Sequence, residues 1–159
     1  MQTTVYLSLG SNLGDREQNL RAAIARLRGV LAVSSFYETE PVEFTEQPWF
    51  LNCAVAVRTE LTPEQFLAKI QQIEHEMGRR RIQPKGPRNI DIDILLFGDS
   101  IINTPELDVP HPAMHQRRFV LEPLNEIAPE ARHPVLKKTV RELLQALPAE
   151  EQVKKLKTP

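Results

Sequence analysis

Four stretches of the chain carry residue patterns that are typical of β-strands. The first is 3–9, where Val5, Leu7 and Leu9 alternate with polar residues and therefore share one face of an extended chain. The other three are rich in β-branched, aromatic and other apolar residues, and they cover 31–38, 49–59 and 89–97.

Two segments between these strands predict helices. Leu20, Ile24 and Leu27 are spaced for one helix face, and Asp15 stands where an N-cap is expected. The second segment opens on Thr62-Pro63-Glu64-Gln65, a capping box with proline at the first helical position, and Gly78 ends it. Its apolar stripe consists of Phe66, Leu67, Ile70, Ile73 and Met77.

The order of elements up to residue 97 is therefore β-α-β-β-α-β. This order predicts the α+β class and a ferredoxin-like fold, an antiparallel sheet with both helices packed on one face. In the C-terminal extension, the proline-rich segment 104–138 has no assigned element, although Phe119-Val120-Leu121 should be buried. Thr139-x-x-Glu142 predicts one more helix, and the polar tail from about residue 148 is expected to fray. We expect a single domain over 1–159.

Composition excludes several classes of protein. The net charge of −1 over 159 residues creates no global field for nucleic acid or an acidic membrane. A single cysteine, Cys53, forms no internal disulfide and is expected to be a small buried hydrophobic residue. The chain shows neither a signal-peptide pattern nor an apolar run of about 20 residues. We therefore expect a cytoplasmic monomer whose partners are small molecules.

Asp91 and Asp93 are the strongest chemical signal, because aspartate is depleted in strands and both lie within an apolar one. Alternation puts the two carboxylates on the same face, about 7 Å apart, with Ile90 and Ile92 on the other. Such a pair suits Mg²⁺, which favours one or two carboxylates together with substrate phosphates. The alternative is a solvated strand face with no function.

A basic segment directly precedes the aspartates. It contains Arg79, Arg80, Arg81, Lys85 and Arg88 without an acidic residue among them. The arginine guanidinium can donate two hydrogen bonds to two oxygens of one phosphate. A basic loop beside two metal-binding carboxylates therefore indicates phosphoryl transfer. A solvated charge run is the alternative. The glycine-rich phosphate loops of the common nucleotide-binding folds are absent from the sequence.

Four separated motifs resemble those of the 6-hydroxymethyl-7,8-dihydropterin pyrophosphokinases of folate synthesis. The resemblance covers roughly residues 4–130, and the segment around Gly86-Pro87-Arg88 is the most specific part. In chain order the motifs are Leu9-Gly10-Ser11-Asn12-Leu13-Gly14, Ser35-Phe36-Tyr37-Glu38-Thr39 with Asn52 downstream, Gly86-Pro87-Arg88-Asn89-Ile90-Asp91-Ile92-Asp93-Ile94-Leu95, and Val109-Pro110-His111-Pro112.

The resemblance implies that ATP donates its β,γ-diphosphate to the pterin hydroxymethyl oxygen, that AMP is released, and that two Mg²⁺ ions take part. It also implies the site residues. The catalytic group would be Arg79, Arg88, Asp91 and Asp93, with both aspartates as metal ligands. The ATP-binding group would be Leu67, Gln71, Glu74, Arg79, Arg81, Ile94, His111 and Arg117. The pterin-binding group would be Thr39, Val42, Phe50, Asn52 and Phe119.

Two other functions are compatible with parts of the sequence. A nucleotidyltransferase also uses a Gly-Ser turn and an aspartate pair, but the pair follows the turn closely there, and such an enzyme releases pyrophosphate. A ferredoxin-like sheet with a basic loop can also bind RNA, but the aromatic strand signature of that class is absent.

Overall fold

The structure is a computed structural model that describes residues 2–39, 49–78, 89–148 and 153–155. The elements in chain order are β1 (Thr3–Ser11), α1 (Arg16–Arg26), β2 (Val30–Val33), β3 (Tyr37–Thr39), β4 (Phe50–Thr59), α2 (Pro63–Glu76), β5 (Asp91–Phe97), β6 (Ile102–Asn103), β7 (Asp108–Val109), the 3-10 helix η1 (Met114–Gln116), α3 (Arg118–Ile127), β8 (Arg132–His133), β9 (Lys138–Thr139), α4 (Val140–Gln145) and β10 (Val153–Lys155).

One antiparallel sheet organises the molecule, in the strand order β10-β3-β4-β1-β5. Strand β1 lies between β4 and β5, and β2 pairs with β4 alongside β3. Leaving out β10, this is the order that the βαββαβ pattern requires, so the predicted α+β sheet is confirmed. Strand β10 extends the sheet beyond β3, in a part of the chain where the sequence predicts no strand.

The strand predicted over 31–38 is interrupted in the structure. The Ser34 hydroxyl accepts the Ala54 amide at 2.8 Å, while the Ser34 amide donates to the Ala54 carbonyl at 2.9 Å. The Ser34 hydroxyl thus takes the place of a backbone carbonyl as the acceptor for the Ala54 amide. This substitution interrupts the ladder, so β2 ends at Val33 and β3 begins at Tyr37. The expectation of one continuous strand was wrong at 34–36.

Helices α1 and α2 cover one face of the sheet, and their predicted starts are confirmed. The Asp15 side chain accepts the Gln18 amide at 3.1 Å. The Thr62 hydroxyl accepts the Gln65 amide at 3.2 Å, and the Gln65 side chain accepts the Thr62 amide at 3.0 Å, which completes the capping box. The apolar core on this face includes Val5, Leu7, Leu9, Leu20, Val55, Phe66, Ile70, Ile92 and Ile94.

Helices α3 and α4 pack on the other face of the sheet. They form a second apolar cluster with it that includes Ala54, Leu95, Leu121 and Leu124. The sequence did not predict α3, because Pro123 within it removes a backbone donor and obscures the helical pattern. Val120 and Leu121 are buried as predicted, and Phe119 is half-buried. The capping box of α4 is confirmed, since the Thr139 hydroxyl accepts the Glu142 amide at 3.2 Å.

Cys53 is 1% exposed in β4, and burial raises the pKa of its thiol to about 12. This confirms a small buried residue with no reactive thiolate. Within the described ranges, none of the helices has the length and apolar character needed to cross a bilayer.

Candidate active site

A row of directly opposed residues crosses the middle of the sheet and defines the site. Tyr37 on β3 lies opposite Asn52 on β4, which lies opposite Gly10 on β1, which lies opposite Asp91 on β5. Directly opposed residues present their side chains on the same face of a sheet. Neighbouring strands are about 4.8 Å apart, so the Asn52 amide and the Asp91 carboxylate start about 10 Å apart on one surface.

Asn52 is 4% exposed and is held in one orientation. Its Nδ2 donates to Thr39 Oγ1 at 2.7 Å. Its Oδ1 lies above Gly10, where a Cβ atom would approach it to 2.7 Å. The glycine of the Leu9-Gly10-Ser11 motif therefore provides the space that the Asn52 amide occupies. A fixed amide of this kind can bond the polar edge of a flat heterocycle.

The two aspartates leave β5 on this same face. Asp91 lies opposite Gly10 and Asp93 lies opposite Ser8, and both are half-buried. Ile92 and Ile94 point into the core on the face of α1 and α2. The structure thus has the alternation that the sequence predicted, with two carboxylates on a rigid strand.

The backbone between the aspartates is fixed from the side by Glu74. This α2 residue is 9% exposed, and its Oε2 accepts the Ile92 amide at 2.9 Å. The bond satisfies a backbone donor on β5 and ties the strand to α2, so Glu74 holds the register of the carboxylate pair. Leu67 and Gln71, which share the helix face of Glu74 and were predicted to lie beside the nucleotide with it, are half-buried and exposed respectively.

A metal at this point would have few protein ligands. Among residues 2–39, 49–78 and 89–148, no group of three or more His, Cys, Asp or Glu side chains is arranged to hold a metal ion. Two carboxylates agree with Mg²⁺, which keeps several waters and takes further oxygens from substrate phosphates. The donor set of Asp91 and Asp93 therefore fits Mg²⁺ bound together with a polyphosphate, and does not fit a closed structural metal site.

His111 lies beyond the end of β7, where its amide donates to the Leu95 carbonyl at 3.0 Å. Its Nδ1 accepts the Ala113 amide at 3.2 Å. A neutral imidazole in this position carries its proton on Nε2, which makes Nε2 a donor that suits a phosphate oxygen. Ile94, predicted beside the nucleotide, is 5% exposed within the core under α2.

Phe50 and Phe119 are the two half-buried aromatic residues predicted to flank the pterin. Phe50 lies opposite Thr39 in the β3–β4 pair, two residues along from the Asn52 row and on the same face of the sheet. Phe119 stands in the first turn of α3, and the Arg117 guanidinium carbon lies 5.6 Å from the centre of its ring. This cation–π contact covers part of the ring and stabilises it in place.

The remaining predicted residues lie outside the described part of the chain. They are Val42, Arg79, Arg81 and Arg88. The sequence also missed two residues that hold strand β3. Arg16 pairs with Glu38 at 2.8 Å and donates to the Trp49 carbonyl at 2.9 Å. Glu126 on α3 accepts bonds from Ser35 and Tyr37, and no signal marked it because α3 itself was not predicted.

Comparison with known proteins agrees with this fold and with the predicted family. Residues 6–129 match the family described as 7,8-dihydro-6-hydroxymethylpterin-pyrophosphokinase (HPPK). The 2-amino-4-hydroxy-6-hydroxymethyldihydropteridine pyrophosphokinase of Bacillus subtilis is 51% identical over 80% of this chain and 79% of its own length. The enzyme of the same name from Aquifex aeolicus is 44% identical over 87% of this chain and 89% of its own.

Solved structures show the same fold at low sequence identity. Wild-type HPPK-DHPS of Plasmodium falciparum, solved with pteroate, matches with a TM-score of 0.74 and 20% identity. The match covers 91% of this chain but only 42% of that one, so this chain spans less than half of the larger protein.

The βαββαβ sheet, together with the matching family and the relatives at 44% and 51% identity, identifies this chain as an enzyme of the pyrophosphokinase class. The chain belongs to the 7,8-dihydro-6-hydroxymethylpterin-pyrophosphokinase family. Its function is that of a pterin pyrophosphokinase in folate synthesis, as the motifs predicted. The nucleotidyltransferase and RNA-binding alternatives are not favoured.

Proposed function

We propose that this enzyme transfers the β,γ-diphosphate of ATP to the hydroxymethyl oxygen of 6-hydroxymethyl-7,8-dihydropterin. In that reaction a bond forms between the hydroxymethyl oxygen and the β-phosphorus. The bond from the β-phosphorus to the oxygen that bridges to the α-phosphorus breaks, AMP leaves, and the hydroxyl proton is lost to solvent. The products are AMP and the pterin diphosphate.

The observation that carries the proposal is the row from Asn52 through Gly10 to Asp91. Gly10 leaves room for the Asn52 amide, and a heterocycle whose edge bonds that amide is proposed to extend along the row towards β5. Its hydroxymethyl group then lies near the carboxylate side of the row. A distance of about 10 Å between the two groups suits a bicyclic ring with one exocyclic carbon.

Asp91 and Asp93 are the residues that would hold Mg²⁺, and we propose two ions. When bound, the ions neutralise the charge of the triphosphate and lower the pKa of the attacking hydroxyl. Glu74 keeps the two carboxylates in register through the Ile92 amide. Arg79, Arg81, Arg88, His111 and Arg117 are proposed to bond the phosphates, and Leu67, Gln71, Glu74 and Ile94 to lie on the nucleotide side.

On the acceptor side, Phe50 and Phe119 are proposed to lie against the two faces of the pterin. Asn52 bonds the edge of the ring. Thr39 keeps the Asn52 amide oriented, because its Oγ1 accepts a hydrogen bond from Asn52 Nδ2 at 2.7 Å. Val42 completes the proposed pocket. Binding both reactants in fixed positions supplies much of the acceleration in phosphoryl transfer, because the protein provides little covalent chemistry.

A product assay tests the proposal. The purified chain is incubated with ATP, Mg²⁺ and 6-hydroxymethyl-7,8-dihydropterin, and the nucleotides are then separated. We expect AMP that depends on the pterin, with no free pyrophosphate. ADP would show transfer of a single phosphoryl group, and free pyrophosphate would show nucleotidyl transfer. Either result contradicts the proposed reaction.

A further inference from the structure

Strand β3 is the shortest strand that contributes to the site, with only Tyr37, Glu38 and Thr39. It carries Thr39, whose hydroxyl orients the Asn52 amide. It pairs with β4 on one side and with β10 on the other, and three residues form few ladder bonds in each pair. The contacts that its side chains make with helices therefore add to the accuracy with which Thr39 is placed.

The carboxylate of Glu126, near the end of α3, bonds this segment at three points. Its Oε2 accepts the Ser35 amide at 2.9 Å and the Ser35 hydroxyl at 3.0 Å. Its Oε1 accepts the Tyr37 hydroxyl at 2.6 Å, the length of a charge-assisted bond. Ser35 and Tyr37 are 1% and 6% exposed, whereas Glu126 is exposed, so its carboxylate reaches from the surface of α3 to two buried residues.

The Tyr37 hydroxyl is a permanent donor in this arrangement. Burial, followed by the bond to Glu126 and the negative charges of Glu126 and Glu122, raises the pKa of Tyr37 above its ordinary value. The phenol therefore stays protonated throughout the neutral range and keeps donating to Glu126. The bond acts as a fixed link between α3 and β3.

Tyr37 transmits this link to the row that crosses the site. It lies directly opposite Asn52, and it shares a sheet face with Thr39, two residues further along β3. A shift of Tyr37 away from α3 moves Thr39 with it. Such a shift lengthens the 2.7 Å bond that holds the Asn52 amide.

We propose that Glu126 is a positioning residue for the pterin, acting through Tyr37 on Thr39 and Asn52. This inference rests on the proposed function, since it takes Asn52 to be the group that binds the pterin edge. Glu126 touches neither reactant. Its role is to keep the acceptor side of the site aligned with the carboxylates on β5.

The test uses Glu126→Gln and Tyr37→Phe, which keep the shape of each side chain and remove the charge-assisted bond. The dissociation constant of the pterin is measured with a nonhydrolysable ATP analogue and Mg²⁺ present, and KM and kcat are measured for both substrates. We expect pterin binding to weaken about tenfold in each variant, the usual effect of losing a hydrogen bond to a charged group. The KM for ATP should stay within about twofold, because Glu126 acts only on the acceptor side.

Glu122→Gln is the matched control. Glu122 lies one turn earlier on the same helix, and its charge also acts on Tyr37, but its carboxylate pairs with Arg118 at 3.0 Å. We expect this control to leave pterin binding unchanged. In the double variant Tyr37→Phe with Glu126→Gln, the loss should be smaller than the sum of the two single losses, since both changes break the bond between Tyr37 and Glu126, while only Glu126→Gln also affects the bonds to Ser35.

Three results would overturn the inference. One is unchanged pterin binding in Glu126→Gln, and another is an equal rise in both KM values together with a lower Tm, which indicates general loosening. The third is additive losses in the double variant. The variant Asn52→Ala separates this inference from the proposed function. Unchanged pterin binding in Asn52→Ala would reject the proposed pterin pocket. Weakened binding in Asn52→Ala together with normal binding in Glu126→Gln would reject only the role of Glu126.

Discussion

The two faces of strand β1 contribute to the enzyme in different ways. Leu7 and Leu9 point towards α1 and α2 and are fully buried in an apolar core. Ser8 and Gly10 point to the other face, where Ser8 lies opposite Asp93 and Gly10 lies beneath the Asn52 amide. Adjacent residues of one strand therefore serve either the stability of the fold or the geometry of the site.

The difference follows from the physics of each face. Burial of apolar side chains against helices stabilises the fold in proportion to the area removed from water. Two carboxylates about 7 Å apart repel each other, and this repulsion has to be offset elsewhere in the fold. The core under α1 and α2, together with the cluster under α3, supplies that stability. The site face is then free to carry side chains chosen for chemistry.

The largest effect is expected from Asp93→Asn, which removes one carboxylate from the site face and keeps its shape. We expect kcat to fall about a thousandfold, because loss of a Mg²⁺ ligand removes several kcal/mol of charge stabilisation. The free energy of unfolding should change much less than the activity does, since asparagine keeps the shape of this half-buried side chain. Steady-state kinetics and thermal denaturation measure the two quantities.

Asp99→Asn is the control for that experiment. Asp99 is exposed in the turn that follows β5, and the same chemical change there should leave kcat unaltered. If Asp93→Asn kept kcat within about tenfold of the parent, Asp93 would not be a metal ligand.

The opposite result is expected from Leu7→Ala, on the core face of the same strand. Leu7 is 0% exposed, and its truncation should lower the free energy of unfolding by about 3 kcal/mol through lost burial and a residual cavity. In a chain of this size, that corresponds to a Tm lower by roughly 6–12 °C. At a temperature where the variant is folded, kcat and both KM values should match the parent. A large fall in kcat with an unchanged Tm would mean that the two faces are not separate.

The fold up to β5 could be predicted because local and tertiary preferences agree there. Alternation marked β1, and the capping boxes at Thr62 and Thr139 marked the starts of two helices. The interruption at Ser34 could not be predicted, since it depends on a hydroxyl that meets Ala54 across the sheet. Helix α3 was missed because Pro123 disguises its pattern, and its amphipathic face matters only once a sheet lies beneath it.

The same distinction applies to the site. Asp91 and Asp93 were found from the sequence because two acids in an apolar strand conflict with its local preference. Glu74 was assigned to the nucleotide side from helix spacing and the family resemblance, but its bond to the Ile92 amide required the packing of α2 on β5. Glu126 lies 89 residues from Tyr37 in the chain, and nothing local to either residue indicates that they meet.

Gly10→Ala is expected to give the smallest effect, because only one methyl group is added. It tests the site face of β1 without changing the core face. The new Cβ would lie 2.7 Å from Asn52 Oδ1, too close for a relaxed contact. Gly10 is not among the glycines with positive φ, so alanine causes no backbone strain, and any loss of stability comes from the displaced Asn52 amide. The Asn52 amide then has to rotate, which breaks its bond to Thr39. We expect the dissociation constant of the pterin to rise about tenfold, while the KM for ATP stays constant.

The double variant Gly10→Ala with Asn52→Ala identifies the cause of that loss. Removal of the Asn52 amide also removes the clash, so the double variant should bind the pterin no more weakly than Asn52→Ala alone. A further loss in the double variant would mean that the new methyl group meets the pterin directly. In that case Gly10 shapes the pocket by its own surface, and the Asn52 amide is not what the glycine accommodates.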